Sequence, residues 1–139
     1  MRVSLLTTTA LITLATPAAA QTVVNAKRTD PVRTSTIKNG AADAVRIASA
    51  GSVEPASGTA VTMDSDNAVT NEGKIAISNA NGAVGIAANA GTNGDITNSG
   101  TITIDETYTP TDQDKDGDLD GPFAVGSDRT GIRTLGAHS

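Results

Sequence analysis

The sequence predicts an all-β chain folded as a parallel β-helix, a solenoid in which successive coils of backbone stack on one another. Three observations predict this fold: side chains alternate with a period of two residues, the alternating segment recurs, and large side chains are almost absent. Of 139 residues, 37% are hydrophobic and 1% are aromatic. This composition supplies enough Ala, Val, Ile and Leu for a thin layered core and too few bulky residues for a thick one.

One sequence frame occurs twice. The segment Val69–Ser78 recurs 27 residues later as Ile96–Asp105, and both follow the pattern [VI]-T-N-x-G-x-I-x-I. Successive side chains of a strand point to opposite faces, so one face carries the apolar and small residues of the frame. In the first copy this inward set is Val69, Asn71, Gly73, Ile75 and Ile77, and in the second it is Ile96, Asn98, Gly100, Ile102 and Ile104.

A parallel β-helix is favoured over a flat sheet of hairpins, although both produce alternation. An offset of 27 residues is typical of one coil of a solenoid, and a small, uniform inward set lets identical layers stack. Asn71 and Asn98 would then meet in an amide ladder, or serve as ordinary turn residues. A shorter frame, A-V-x-[IM], also recurs at 44–47, 60–63 and 83–86, with a weak echo at 130–133.

The chain divides into five predicted segments. Residues 1–20 have the positive start, apolar stretch and Ala18-Ala19-Ala20 cleavage site of a secretory signal peptide, with an uncleaved amphipathic helix as the alternative. Cleavage would leave Gln21 as the first residue. The remaining segments are a polar leader or N-terminal cap at 21–36, β-helix coils at 37–104, an acidic loop excursion at 105–128, and the start of a further, truncated coil at 129–139.

The excursion contains a partial calcium-binding loop of the pattern D-x-D-x-D-G-x-x-D. Its predicted ligands are Asp112, Asp114 and Asp116 at positions 1, 3 and 5, Asp118 through its carbonyl at position 7, and Asp120 at position 9, with Gly117 at the sharp turn. Position 12, where such loops place a bidentate glutamate, holds Phe123. Either another acid (Asp105, Glu106 or Asp128) completes the shell or the site is weak. A solvated acidic loop without a metal is the alternative.

Composition excludes several function classes. A net charge of -5 disfavours a nucleic-acid partner, because phosphate binding needs a basic face. There is no Cys, and the only His is His138 next to the end of the sequence, so neither a catalytic triad nor a zinc site is expected. Paired acids occur in the flexible excursion, where nothing fixes their spacing for acid–base catalysis. We therefore expect a protein that is not an enzyme and has no catalytic residues.

The signal ending Ala18-Ala19-Ala20-Gln21, followed by Thr/Asn/Gly-rich coils with the I-T-N-x-G-x-I-x-I frame, resembles the start of the passenger of a bacterial autotransporter (type V secretion). The segment YTPTDQDKDGDLDGPFA at 108–124 and RTGIR at 129–133 are similar to segments of such passengers in alphaproteobacteria. The resemblance covers nearly the whole chain. It implies a right-handed parallel β-helix displayed at the cell surface and carried across the outer membrane by a C-terminal β-barrel.

The sequence contains no run of barrel strands, which suggests an N-terminal fragment or a truncated gene product. The resemblance implies a non-enzymatic surface passenger with a structural or adhesive role. Its own C-terminal β-barrel translocator would be one partner, and a host-surface or carbohydrate ligand another. On its own the chain would remain periplasmic. A calcium-stabilised extracellular binding module is the alternative, and a fragment of a carbohydrate-active β-helix enzyme is a third interpretation.

Overall fold

The computed structural model describes residues 20–121 and 124–137, and these form a β-solenoid without a helix. The predicted fold class, an all-β parallel β-helix, is confirmed. Most of the predicted signal peptide, together with Phe123 and His138, lies outside the described residues. Within them, no helix is long and apolar enough to cross a membrane.

Twelve strands in the described residues build four stacked layers of three strands each. The first layer has β1 (Gln21–Val24), β2 (Lys27–Arg28) and β3 (Val32–Arg33); the second has β4 (Ala44–Ile47), β5 (Ser52–Val53) and β6 (Thr59–Met63); the third has β7 (Val69–Asn71), β8 (Lys74–Ser78) and β9 (Val84–Ala88); the fourth has β10 (Ile96–Asn98), β11 (Thr101–Asp105) and β12 (Thr130–Thr134). Strands at equivalent positions pair in parallel into three sheets, ordered β1-β4-β7-β10, β2-β5-β8-β11 and β3-β6-β9-β12.

The repeated frame stacks in register between the third and fourth layers. Asn98 pairs with Asn71, and Ile102 pairs with Ile75, which confirms the 27-residue offset there. Asn71 donates from Nδ2 to Oδ1 of Asn98 at 2.7 Å, so the predicted amide ladder is present with two rungs. On the other side of Asn71 the register partner is Ile47.

The copies of the shorter A-V-x-[IM] frame do not occupy equivalent positions in the solenoid. Its first copy, at 44–47, belongs to the first sheet, whereas the copies at 60–63 and 83–86 lie mainly in β6 and β9 of the third sheet. Within that sheet Val61 pairs with Ile86 rather than with Val84. A four-residue apolar alternation fits any strand of the solenoid, so it does not identify which sheet or register a strand takes.

The segment at 21–36, expected as a polar leader or cap, contains all three strands of the first layer. Among residues 20–121 and 124–137, strands stack on only one side of this layer. The excursion begins after β11 ends at Asp105, and the chain re-enters the third sheet at Thr130.

The core is a narrow column of inward-facing apolar side chains. Thr70, Glu72 and Lys74 alternate with buried residues and point outward, as the frame predicts. The largest fully buried apolar side chains are Ile47, Met63, Ile75, Ile77, Ile86, Val32, Val45, Val53, Val61, Val69 and Val84. Stacking one such layer on the next removes apolar surface from water, which is the main stabilising term for a solenoid.

A glycine column marks the corner between the first and second sheets. It consists of Gly51, Gly73 and Gly100, one each in the second, third and fourth layers. A Cβ at any of these positions would collide with a backbone carbonyl oxygen of the preceding layer: that of Val24 at Gly51, those of Ala48 and Gly51 at Gly73, and that of Gly73 at Gly100. The layers can approach at this corner because no side chain intervenes.

On the outer face of the second sheet, Glu54 is held between two lysines. Its carboxylate accepts from Lys27 Nζ at 2.6 Å and lies 3.3 Å from Lys74 Nζ, so the pair of contacts spans three layers. The hydrogen bond from Lys27, and one from Ser52, lower the pKa of Glu54 from 4.5 to about 2.

We expect Glu54→Gln to make the free energy of unfolding less dependent on pH under acidic conditions. A carboxyl whose folded pKa is depressed stabilises the fold above its ordinary pKa and loses that contribution as pH falls towards the folded value. The parent chain should therefore lose stability between pH 4.5 and about 2, and the variant should lose less over that window. Urea unfolding at pH 7, 4 and 2.5 measures the difference. An equal loss in both chains would contradict the role assigned to Glu54.

Candidate metal centre in the acidic excursion

The excursion is anchored at its base by Glu106 and Arg129. Arg129 donates from Nη2 to Glu106 Oε2 at 2.8 Å, and the backbone N–H groups of Val125 and Gly126 each donate to the same carboxylate at 2.8 Å. Hydrogen bonding from Arg129 lowers the pKa of Glu106 and raises that of Arg129. The carboxylate thus remains charged, and it links the segment that leaves β11 to the segment that returns to β12.

A second set of contacts fixes this base to the turn that follows β8. Asn79 Oδ1 accepts from Thr107 N at 2.7 Å, and Asn81 Oδ1 accepts from Ser127 N at 3.1 Å. Arg129 also donates from Nε to the carbonyl of Ala80 at 3.2 Å. A cleft of about 360 Å³ lies between these groups, but its amide oxygens and its ion pair are already bonded within the chain.

Sequence reasoning did not single out this anchor. Glu106 and Arg129 are 23 residues apart, and no sequence pattern indicates that they pair. Asn81 and Gly82 form a turn, and the Asn81 side chain also holds the excursion by accepting from Ser127 N. Only the stacking of β12 on β9 brings these residues together.

The acidic loop itself brings three of the five predicted metal ligands together. Oxygen atoms of Asp112, Asp114 and Asp116 lie within 4.8 Å of one another on an exposed surface. Lys115 and Gly117 have φ of 62° and 101°, and these left-handed conformations produce the tight turn between the three carboxylates. Gly117 therefore occupies the turn position that the calcium-loop pattern requires.

Backbone N–H groups of the loop hold these carboxylates in place. Asp112 accepts from Lys115 N at 2.6 Å through Oδ1 and from Gly117 N at 3.1 Å through Oδ2. Asp114 Oδ1 accepts from Asp116 N at 3.3 Å. Each carboxylate oxygen has a second lone pair, so these hydrogen bonds leave room for a cation.

Asp118 and Asp120 do not belong to the three-carboxylate group. Asp120 Oδ2 instead accepts from Gln113 N at 2.7 Å and Asp114 N at 3.3 Å. The Asp120 N–H donates to the carbonyl of Thr111 at 3.0 Å, which closes the loop. Asp118 donates its N–H to Asp116 Oδ1 at 3.1 Å. These hydrogen bonds let Asp120 shape the loop, and the ligand roles of the Asp118 carbonyl and of Asp120 stay predictions.

The acids suggested as additional ligands have other partners. Glu106 is engaged at the base of the excursion, Asp105 Oδ1 accepts from Glu106 N at 2.7 Å, and Asp128 Oδ2 accepts from Ser127 Oγ at 3.3 Å. Calcium takes six to eight oxygens, so carbonyls and water would have to supply about half of the shell. The arrangement fits a weakly bound hard cation.

Hydrogen bonds account for the lowered carboxyl pKa values among the described residues. The pKa values of Glu54, Glu72 and Glu106 are lowered by hydrogen bonds from Lys27, Arg46 and Arg129 respectively. Burial raises the pKa of Asp64, but hydrogen bonds from Ser35 and Arg33 outweigh it and give a net lowering. A general acid working near neutral pH needs a raised pKa, and these four groups have the opposite shift.

Comparison with known proteins adds no identification. No family model matches the chain, and neither a curated protein nor a solved structure matches it.

Proposed function

We propose that this chain is a non-enzymatic passenger segment of a bacterial autotransporter, with a structural or adhesive role at the cell surface. The observation that carries the proposal is the in-register stacking of the V/I-T-N-x-G-x-I-x-I frame in a thin solenoid. The proposal rests also on the resemblance of the N-terminal 20 residues to a signal peptide. The whole protein would include a barrel translocator, and the passenger would be exported through it.

The absence of cysteine is consistent with this proposal. Small exported domains commonly use disulfides to supplement a small core, and this chain has none. A crosslink would hinder a chain that must pass unfolded through a narrow pore, whereas stacked coils gain stability by repetition once they emerge. A host-surface or carbohydrate ligand would then contact the outer faces of the sheets or the excursion.

The experiment is a display assay in a Gram-negative host. The chain is fused in place of the passenger of an autotransporter that already works in that host, and intact cells are probed with a protease and with an antibody to the excursion. The proposal predicts surface exposure, with processing before Gln21.

A matched pair of variants sharpens this assay. Thr70 and Thr97 are register partners on the outer face, so Thr70→Cys with Thr97→Cys places two thiols on adjacent layers. Oxidation in the periplasm should block display, and a reductant should restore it, while the double alanine variant displays normally. Failure of the parent fusion to reach the surface would overturn the passenger proposal.

A second candidate function is a calcium-stabilised binding module. The specific observation in its favour is the convergence of Asp112, Asp114 and Asp116 around a left-handed turn. Bound calcium would neutralise mutual repulsion among the three carboxylates and order the excursion. It would not require the chain to be displayed by a barrel, so the two proposals can fail independently.

Calcium binding predicts heat in titration calorimetry at millimolar calcium and none after Asp114→Ala. Extracellular calcium modules bind in roughly the 10⁻⁴–10⁻³ M range, which sets the concentrations. Asp30→Ala, which removes an acid of the first layer, is the control and should bind as the parent does. No heat from the parent chain would leave a solvated acidic loop.

A further inference from the structure

The first layer contains the single aspartate–proline peptide bond of the sequence, between Asp30 and Pro31. Both residues lie in the bend between β2 and β3, and both are exposed. Within the part of the chain that the structure describes, no hydrogen bond or ion pair engages the carboxylate of Asp30. This side chain is therefore free to rotate towards the main-chain carbonyl carbon of its own residue.

The carbonyl group of this bond receives a hydrogen bond from an arginine two residues earlier in the chain. Arg28, which is half-buried, donates from Nε to the main-chain oxygen of Asp30 at 3.1 Å. A positively charged donor at this distance makes the carbonyl carbon more electrophilic and stabilises negative charge that develops on the oxygen. Arg28 is therefore placed as a donor to an oxyanion formed at this carbonyl.

Paired strands hold the main chain on both sides of this bend. On the N-terminal side, the carbonyl of Arg28 accepts from Glu54 N at 2.7 Å, and Lys27 Nζ lies 2.6 Å from Glu54 Oε2. On the C-terminal side, Val32 is fully buried and pairs with Val61 of the second layer. Folding therefore sets the geometry between the donor and the carbonyl before any reaction begins.

We propose that the chain cleaves its own Asp30–Pro31 bond, with the Asp30 carboxylate as the nucleophile and Arg28 as the group that stabilises the oxyanion. The segment with β1 and β2 would then be held to the second layer by main-chain hydrogen bonds and by the Lys27–Glu54 pair, and no longer by a covalent link to β3. This inference stands on the geometry of the first layer and does not depend on the passenger proposal.

The reaction consumes one water molecule and needs no other reactant. An Oδ atom of Asp30 attacks the main-chain carbonyl carbon of the same residue, and the negative charge of the tetrahedral intermediate falls on the oxygen that Arg28 contacts. The C–N bond then breaks, and its electron pair goes to the nitrogen of Pro31, which takes a proton from solvent. Water opens the cyclic anhydride left on Asp30 to two carboxyl groups. The products are one chain that ends at Asp30 and one that begins at Pro31.

The bond between Glu54 and Pro55 provides an internal comparison, since it also joins an acid to a proline. Its carboxylate is already engaged, because Glu54 lies 2.6 Å from Lys27 Nζ and 3.3 Å from Lys74 Nζ. Pro55 is buried, so solvent has little access to protonate its nitrogen. We therefore expect cleavage before Pro31 and none before Pro55.

The test is a time course of the purified chain at pH 5 and 37 °C, followed by intact-mass spectrometry, in buffer and in enough urea to unfold it. We expect a fragment with the N-terminal sequence Pro-Val-Arg, formed at least about tenfold faster in the folded chain, since an oxyanion donor contributes roughly 10²–10³ in a fully enclosed site. Arg28→Gln should remove this difference by slowing the folded chain alone. Asp30→Ala, which lacks the nucleophile, should not be cut here in either solvent.

Arg33→Gln is the matched control, because it removes a similar charge from β3, where Arg33 pairs with Asp64 at 2.8 Å, and should leave the cleavage rate unchanged. The proposal is overturned if the parent is not cut, if the folded parent is cut no faster than in urea, or if folded Arg28→Gln is cut at the parent rate. A cut that persists in Asp30→Ala would assign cleavage to a contaminating protease and also overturn it. Circular dichroism checks that Arg28→Gln is folded, and if it is not, the parent in the two solvents and Asp30→Ala decide.

Discussion

Gly73→Ala is expected to lower the free energy of unfolding by about 3 kcal/mol, the upper part of the range for forcing an extra carbon into a packed interior. The added methyl group would overlap the carbonyl oxygens of Ala48 and Gly51, and its nearest side-chain neighbour, Ile47 Cγ2, is 3.0 Å away. Backbone cannot rotate aside as a flexible side chain can, so the layers must separate at this corner. Separation would weaken hydrogen bonds in two sheets at once.

Gly131→Ala provides the matched control for this substitution. Gly131 lies in β12 of the fourth layer, and a Cβ there would meet only Ile102 Cγ2, at 4.0 Å. We expect this variant to unfold within about 0.5 kcal/mol of the parent in urea, as is usual for surface substitutions. If the two alanine variants had equal midpoints, close approach of backbone at the glycine column would not be what holds the layers at their spacing.

Sequence reasoning predicted the third and fourth layers well because the same frame occupies both. Asn71 and Asn98, and Ile75 and Ile102, are aligned in the sequence and paired in the structure. Alternation fixes which side chains point inward, and an identical turn at Gly73 and Gly100 fixes the register. When local pattern and long-range pairing agree in this way, inspection of the sequence is sufficient.

The first two layers were harder to predict because their corners differ in length. One residue separates Asn71 from Gly73, whereas three separate the equivalent Ile47 from Gly51. Those extra residues shift the frame, so a search at constant offset does not find the second layer. In the first layer an inward position holds Arg28, which hides the apolar pattern. Corner length is set by how the chain turns, and sheet pairing tolerates the variation.

Only part of the candidate site could be predicted, because only part of it is built from residues close together in the sequence. Spacing alone brings Asp112, Asp114 and Asp116 together, since they lie within one tight turn. The role of Asp120 depends on where the loop closes, at Thr111, and that contact has no sequence signal. The base of the excursion depends on Arg129 meeting Glu106, which requires the chain to return to the third sheet through β12.

The second large effect is expected at Asn71, a polar residue whose side chain is fully buried in the core. It is fully buried, donates to Asn98 Oδ1 at 2.7 Å and to the carbonyl of Thr101 at 3.3 Å, and stacks on Ile47. Both of its hydrogen-bonding contacts need a donor at this position. A carboxylate of the same shape has none, and it would face two oxygen atoms in an interior with low polarity.

Asn71→Asp is therefore expected to cost about 3 kcal/mol at pH 7, in the range for an uncompensated buried charge. Burial raises the folded pKa of the introduced carboxyl above its unfolded value of about 3.9, so the deficit against the parent should grow as pH rises through that value. Urea unfolding of both chains at pH 3.5 and pH 7 measures it. Asn98→Asp is the matched control, since that position is exposed and its carboxylate can still accept from Asn71. A deficit in Asn71→Asp that is the same at both pH values would mean that the introduced group reaches water, and that the column between the second and third layers is open.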